Sequence, residues 1–287
     1  MNNLNLKDIA TAKKLKKPPK LRPIQEPRAV ERQYLKLLKQ LTNELKNDVR
    51  KNIIPLLKTS TITNDSVDDI LTALAGLSAK FSNINSFANS TTDIVVNGIE
   101  KSNRDRFFKS INNSIGVDLK DIVREEGLTD LVALQKSKNV ALIKSIPSEF
   151  IKEIEVIVQN GLADGMRHEA IAKQISGVKG IKSTFGKLEN RIKMIARNEV
   201  ASINGSLSKA RQENLGVTMY TFETSRDERV RPSHQVMQGK ICKWDDATVY
   251  KNNIDDKKWL KRSSIGGVEK HPAMDFNCRC VSLAIIE

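Results

Sequence analysis

The sequence predicts an α+β protein, a mostly helical N-terminal region with a small α+β C-terminal module. Three observations carry this. Apolar residues recur at three- and four-residue spacing through nearly everything before Gly216, the pattern of helices with one buried face. Aromatic residues are sparse, 5% against 39% hydrophobic and 29% charged, which favours a Leu/Ile/Ala-packed helical body over a large β-sandwich. The last quarter, Tyr220 to Ile286, holds two of the three His, all three Cys and both Trp. At 287 residues the chain has room for one large domain or two ordinary ones.

Residues 1–28 read as a basic, flexible arm. Lys13, Lys14, Lys16, Lys17, Lys20 and Arg22 are interrupted by Pro18, Pro19, Pro23 and Pro27, which forbid a regular helix through the run. Residues 1–50 carry 13 Lys/Arg against 5 Asp/Glu, so over half of the net +14 lies there. Such an arm can lie along phosphates or against an acidic protein; a solvated tail has the same composition.

Residues 29–180 read as the helical region. Tyr34, Leu38, Leu41, Leu45, Val49 and Leu56 form one amphipathic face, which Pro55 kinks or ends. Asp65 and Ser66 open a second helix with a cap and an acidic first turn. The Ser/Asn/Thr cluster at Ser82 to Thr92 reads as a loop. Helical patterns resume at Asp93 to Ile115, Lys120 to Glu126, Asp130 to Ile146 and Ser148 to Asn160, with Pro147 starting the last. A turn at Gly165 leads into a short helix carrying Ile171 and Ile175, with His168 on its solvent face.

Residues 181–287 read as the α+β module. A long helix with Leu188, Ile192, Ile195, Val200, Ile203 and Leu207 on its apolar face ends at a left-handed cap, Gly216. Arg197, Glu199 and Asn204 lie beside that face and are expected to bond the following strand or loop. A strand over Thr218 to Glu223, a polar turn at Ser225 to Asp227, a short helical segment around His234 and a final strand from Cys278 to Ile286 follow.

His234, Cys242, His271, Cys278 and Cys280 are the candidate metal ligands, since zinc takes thiolate and imidazole in tetrahedral sets. Cys278 and Cys280 share one side of a regular strand, facing either a common metal or an apolar core. Asp227, Glu228, Asp245 and Asp246 with His234 and His271 offer a different chemistry, a metal-dependent nuclease or nucleotidyl enzyme. No H-E-x-x-H, no G-x-S-x-G elbow and no phosphate-cradling Gly loop accompanies them. Arg226, Arg229 and Arg231 read as ion-pairing or phosphate-contacting groups.

The basic balance favours a polyanionic partner: nucleic acid first, an acidic protein surface second, an anionic membrane third. There is no apolar run of about 20 residues and no secretory core. Three Cys crowded at one end argue against a disulfide framework and fit a reducing compartment.

The order A-R-N-E-V-x3-N on a long helix, S-R-D-E-R-V-R-x2-H-x4-G after a strand, and H-P-x5-C-R-C near the end resembles the phage minor head proteins of the Mu-F-like head morphogenesis family. The resemblance covers about Lys187 to Ile286, and ERQYLKLLKQLTNELKNDVRKNIIPLL is similar to the opening helix of such proteins. Carried over by position, the signature residues are Arg197, Glu199, Asn204, Asp227, Arg229, Arg231, His234, Gly239, His271, Cys278, Arg279 and Cys280. The family pattern favours further Pro beside the final His, where this chain has Glu269 and Lys270.

The resemblance implies a non-enzymatic minor capsid protein of the virion, at the capsid interior or portal vertex, assembled in the host cytoplasm. Its implied partners are the portal, the inner face of the capsid or scaffold, and double-stranded DNA bound without sequence preference through the Lys-rich arm; no membrane is implied. Residues 29–180 become the docking region, and a structural zinc is the one cofactor to consider. Some relatives carry fused toxin or transferase domains; with the chain ending at Glu287, after the C-R-C strand, none is expected at that end.

Overall fold

A computed structural model of the chain describes residues 4–15, 19–59, 64–120, 123, 126–177 and 183–286. Helices dominate up to residue 214 and a small antiparallel sheet follows, so the α+β class holds. Contacts gather into two units that interleave along the chain. One comprises Met1–Val30, Val95–Gln135 and Arg197–Glu287; the other comprises Glu31–Ile94 and Lys136–Ala196. A reading in chain order does not produce such discontinuous units.

The second unit is helical throughout. Helix α2 (Arg28–Asp48) buries Tyr34, Leu38, Leu41 and Leu45 and runs into a π-helical stretch, Val49–Ile53, then α3 (Ile54–Thr59). A π turn takes one extra residue, which shifts the phase of the apolar face. Ile53 and Leu57 are therefore buried, and Leu56, expected on that face, is only half-buried. The wider turn also precedes Pro55, which has no N–H to donate backwards. Helix α4 (Asn64–Ser82) buries Ile70, Leu74, Leu77 and Phe81 at spacings of four, three and four.

Two expectations fail here for one reason. The expected loop at Ser82 to Thr92 lies largely inside α5 (Asn85–Ile115), and Pro147 lies inside a single helix α6 (Thr129–Ala163). Burial overrides local propensity in both. Ala88, Thr91 and Thr92 are buried, and the Thr92 hydroxyl donates to Oδ1 of buried Asn139, 3.1 Å away, which also accepts from Tyr34 at 3.2 Å. Ile143, Ile146, Phe150 and Ile154 keep one buried stripe on both sides of Pro147. In α7 (His168–Ser176), His168 is buried and not on a solvent face, because it shares the helix face of Ile171 and Ile175.

The first unit is built on the C-terminal half of α8 (Thr184–Asn214) and a three-stranded sheet. The α8 terminus is closed by paired bonds: Val217 N–H to the Gln212 carbonyl at 2.9 Å and Gly216 N–H to the Glu213 carbonyl at 3.0 Å. That double closure requires a left-handed residue, and Gly216 has φ +73°. The chain then enters β1 (Met219–Glu223), the central strand between β2 (Ile241–Lys243) and β5 (Val281–Ile285), in the order β2-β1-β5 with both pairings antiparallel. The turn α9 (Pro232–Gln235) and the pair β3 (Val249–Tyr250) and β4 (Leu260–Lys261) lie between β1 and β5 in sequence.

The N-terminal segment, expected as a flexible arm, is part of this unit's core over its described residues. Helix α1 (Leu6–Ala12) and the stretch after it bury Leu6, Ala10, Leu21 and Ile24 with Phe107, Ile111, Leu215, Val217 and Ile286. The backbone is also tied: Leu6 N–H donates to the Leu215 carbonyl at 3.0 Å, Arg22 N–H to the Ser110 hydroxyl at 2.6 Å, and Lys20 bridges Ile285 of β5. The basic composition hid four well-spaced apolar residues that find a face to pack on. Lys13, Lys14, Lys20 and Arg22 themselves remain exposed; Lys16 and Lys17 lie outside the described residues.

In the same unit, Arg211 of α8 is 1% exposed in its side chain and donates to Glu126 at 2.6 and 3.0 Å, Glu100 at 2.7 Å and Asn103 at 2.5 Å. A buried guanidinium is tolerated only with its donors met, and two carboxylates meet most of them here.

Leu6→Ala is expected to lower unfolding free energy by about 2–5 kcal/mol, the range for a buried leucine truncated to alanine. Chemical denaturation measures it; a change below about 0.5 kcal/mol, as for an ordinary surface substitution, would return the segment to a loose arm.

Candidate functional site

The chemistry-bearing residues collect on one face of β1 and in the turns beside it. Tyr220 and Phe222 alternate inward along the strand and pack with Met237, Cys242, Trp244, Cys278 and Cys280. The register of β1 against β5, with Glu223 opposite Val281, brings the C-R-C segment to the start of the turn that follows β1.

There the two C-terminal motifs meet. The Arg279 guanidinium lies 2.5 Å from Asp227 Oδ2, and Asp227 Oδ1 accepts from the Arg229 N–H at 3.1 Å. Against the opposing effect of desolvation, these donors hold the half-buried Asp227 carboxyl below the usual carboxylate range. Arg231 donates to the Phe276 carbonyl at 2.7 Å and pairs with Asp275 at 2.8 Å. Arg226 pairs with Glu223 at 3.0 Å. Arg229 pairs with Asp227 at 3.4 Å, so each of these three arginines has a carboxylate partner. The turn into β2 is closed by Gly239, φ +74°, whose N–H donates to the Phe222 carbonyl at 2.8 Å.

At the centre of the seam is His234, 3% exposed, on a turn that Pro232 starts with its φ already suited to a helix. Its Nδ1 lies 3.4 Å from Cys280 Sγ and 3.6 Å from Cys278 Sγ, and its Nε2 lies 3.1 Å from Asp275 Oδ2. The hydrogen bond to Cys278 raises the His234 pKa above its ordinary value, burial opposing it and Asp275 adding to it. Cys278 is held well below the usual thiol range, by the Cys280 thiol first and His234 next, while Cys280 is pushed up by its neighbour and by burial. Asp275, despite burial, is held down to about 2 by hydrogen bonds from Lys270 and His234.

The donor atoms of His234, Cys278 and Cys280 lie within 4.8 Å of one another, and this trio can hold a metal ion. The other two candidate ligands belong to a neighbouring group. His271 Nδ1 lies 2.8 Å from the Tyr220 hydroxyl, and its ring packs on Trp244 with centroids 5.0 Å apart. Burial pushes His271 down to about 4, helped by the charges of Lys209 and Arg262. Cys242 is fully buried, and its thiol is pushed up to about 11 by that burial. Arg262, also fully buried, donates to the carbonyls of Val249, Val268 and Lys270 at 2.9–3.1 Å and to the Tyr220 hydroxyl at 3.1 Å. It ties the excursion between β2 and β5 to the sheet.

The carboxylates weighed for a hydrolytic centre do not converge. Asp227 serves Arg279, Asp245 pairs with Lys243 at 3.4 Å, and Asp246 accepts from Thr248 at 2.6 and 2.9 Å. Glu228 is exposed on the Arg-rich turn. Among the described residues no set of three His, Cys, Asp or Glu donors other than His234, Cys278 and Cys280 comes together.

On α8, buried Asn204 donates to the Ile24 carbonyl at 3.0 Å and accepts from Asn103 at 2.8 Å, so it bonds earlier chain and not the strand that follows. Arg197 and Glu199 are half-buried. Sequence reasoning passed over Asn198, whose Oδ1 accepts the Asn277 N–H at 2.8 Å, and it passed over Asp275 and Arg262. Asp275 was findable as the one carboxylate inside the H-P-x5-C spacer; no local signal marks Arg262.

Fold and site together define a helix-rich protein with a small C-terminal α+β module locked by a His/Cys/Arg seam. Residues 152–283 match the family model described as Phage Mu protein F like protein, so the resemblance carried by the motifs holds and begins upstream of Lys187, within α6. The chain is thereby similar to phage head morphogenesis proteins. A Haemophilus influenzae protein (strain ATCC 51907 / DSM 11121 / KW20 / Rd), described as an uncharacterized protein, is 26% identical over 273 residues, 93% of this chain and 56% of the relative. The chain thus spans about half the length of the relative it matches. No solved structure matches. Among the described residues no helix is long and apolar enough to cross a membrane.

Because His271 is neutral in the fold and titrates near 6.5 when unfolded, the folded state binds fewer protons between these values. Stability from this group is full above about pH 6.5 and falls as pH drops toward about 4, by about 3 kcal/mol at most. Urea titrations at pH 7 and 4.5 should show His271→Gln losing less stability on acidification than the parent chain. Parallel losses would show that His271 is not held neutral.

Proposed function

We propose that this protein is a non-enzymatic minor capsid protein of a phage head, placed at the portal vertex or the inner face of the shell, where it aids head assembly or DNA delivery. The observation that carries the reading is the match of residues 152–283 to the Mu-F-like family, over the stretch whose motifs build the seam. The seam itself supports a scaffold. Asp227, Arg231, Asp275 and Arg279 are spent on one another, and His234 is enclosed with Cys278 and Cys280. Zinc is the metal that this scaffold would hold. The dispersal of the carboxylates favours the non-enzymatic reading over a metal-dependent nuclease built on His234 and His271.

The net charge of +14 supports packaged DNA as one partner, with the portal and the capsid or scaffold interior as the others. DNA would be held through phosphates without base readout, by cations that the fold leaves exposed although their backbone is docked. Assembly then takes place in the host cytoplasm and the mature location is the virion.

Changing Lys13, Lys14, Lys20 and Arg22 together to Gln removes exposed charge without touching the buried Leu6, Leu21 and Ile24. DNA affinity measured against salt on two unrelated duplexes should be equal for both. The log–log slope should fall by about 0.9 for each cation that contacts a phosphate. An unchanged slope removes the segment from DNA contact. Co-expression with a portal protein from the same phage should give co-purification. Its absence, or metal-dependent DNA cleavage abolished by His234→Ala, would overturn the head reading.

A further inference from the structure

The His234 cluster has more organisation than packing requires. In a tetrahedral zinc site with Zn–N of about 2.0 Å and Zn–S of about 2.3 Å, imidazole nitrogen and thiolate sulfur stand about 3.5 Å apart. His234 Nδ1 already stands 3.4 Å from one sulfur and 3.6 Å from the other. Only one ring nitrogen can face the thiols, and the other is occupied. Nε2 is 3.1 Å from Asp275 Oδ2, and Asp275 is held in turn by Lys270 at 2.8 Å and Arg231 at 2.8 Å. A carboxylate on the remote nitrogen is how metal-binding imidazoles are oriented and made more basic. The Cys280 N–H, 3.4 Å from Cys278 Sγ, adds a donor toward that sulfur.

We infer that His234 Nδ1, Cys278 Sγ and Cys280 Sγ together bind one zinc ion, with Asp275 as the residue that positions the imidazole. Two soft thiolates and one imidazole select zinc over magnesium or calcium, and their charge balances a divalent ion. Among the described residues no fourth His, Cys, Asp or Glu donor converges on the trio. The ion would clamp the turn after β1 to the segment leading into β5, parts of the chain 44 and 46 residues apart. Cys242, sealed in the Tyr220 group, takes no part.

The inference deepens the scaffold reading and rests on it only for the ion being structural. A competing arrangement uses the same atoms. Cys278, His234 and Asp275 stand in the order of a nucleophile, its base and an orienting carboxylate, but both sulfurs flank one nitrogen and all three ligand residues are buried.

The test uses the full chain. Elemental analysis of the purified protein should give one zinc per chain. After chelation, cobalt(II) should restore a tetrahedral spectrum with thiolate-to-metal charge-transfer bands. Cys278→Ser and Cys280→Ser should abolish those bands, Cys242→Ser should keep them, and Asp275→Asn should keep them with affinity lowered about 10- to 100-fold. Folded protein by circular dichroism with neither zinc nor cobalt bands would overturn the inference. So would equal loss of the bands in Cys242→Ser, or alkylation of Cys278 alone at a rate unaffected by chelator and dependent on His234. Loss of portal co-purification with the cobalt spectrum intact would sink the head reading and leave the metal site standing.

Discussion

The return of the C-terminal segment to β1 is the constraint on which the module depends. Asp227 and Arg279 are 52 residues apart, and closing a loop of that length costs about 3–4 kcal/mol beyond a constant term. Exposed ion pairs contribute about 0–1 kcal/mol each, so the Arg/Asp seam alone would not hold the ends together. The five-residue ladder between β1 and β5 and the burial of His234, Cys278 and Cys280 supply the rest. The arginines therefore set register and orientation more than stability, keeping Asp275 on the far side of the imidazole from the thiols.

The excursion between β2 and β5 shows the same logic with different chemistry. It has almost no regular secondary structure of its own beyond the short β3–β4 pair and one 3-10 turn, and its backbone carbonyls converge on one buried guanidinium. Arg262 donates in several directions at once from a rigid plane, which a lysine cannot do. The Tyr220 hydroxyl joins that network to His271, so the strand, the excursion and the H-P turn share one polar group. Trp244 adds a second link: its ring nitrogen donates to Gln212 at 3.1 Å, and Gln212 donates to Ser282 of β5 at 3.2 Å, joining the sheet to the end of α8.

At the other end of the chain, charge and burial divide along one short segment. Leu6, Leu21 and Ile24 fix the backbone in the core while Lys13, Lys14, Lys20 and Arg22 stay in water. A basic stretch anchored in this way presents cations at defined positions, at a lower entropic cost on binding than a free tail.

Periodicity was enough to read the helices, because a helix buries one face and repeats it every three to four residues. The apolar faces of α2 and α8, the closure at Gly216, the strand before the Arg-rich turn and the motif order that marks the Mu-F resemblance were all legible from the residues. Where propensity and burial disagreed, as at Pro147 and at Ser82 to Thr92, only packing could decide. The choice among five candidate ligands was likewise beyond the sequence: spacing along the chain does not say which inward-facing side chains meet. The register of β5 on β1 puts Cys278 and Cys280 against His234, and the Tyr220–Arg262 group takes Cys242 and His271. That partition is a property of three-dimensional contact, because each thiol and imidazole goes to whichever buried polar partner the strand pairing brings within reach.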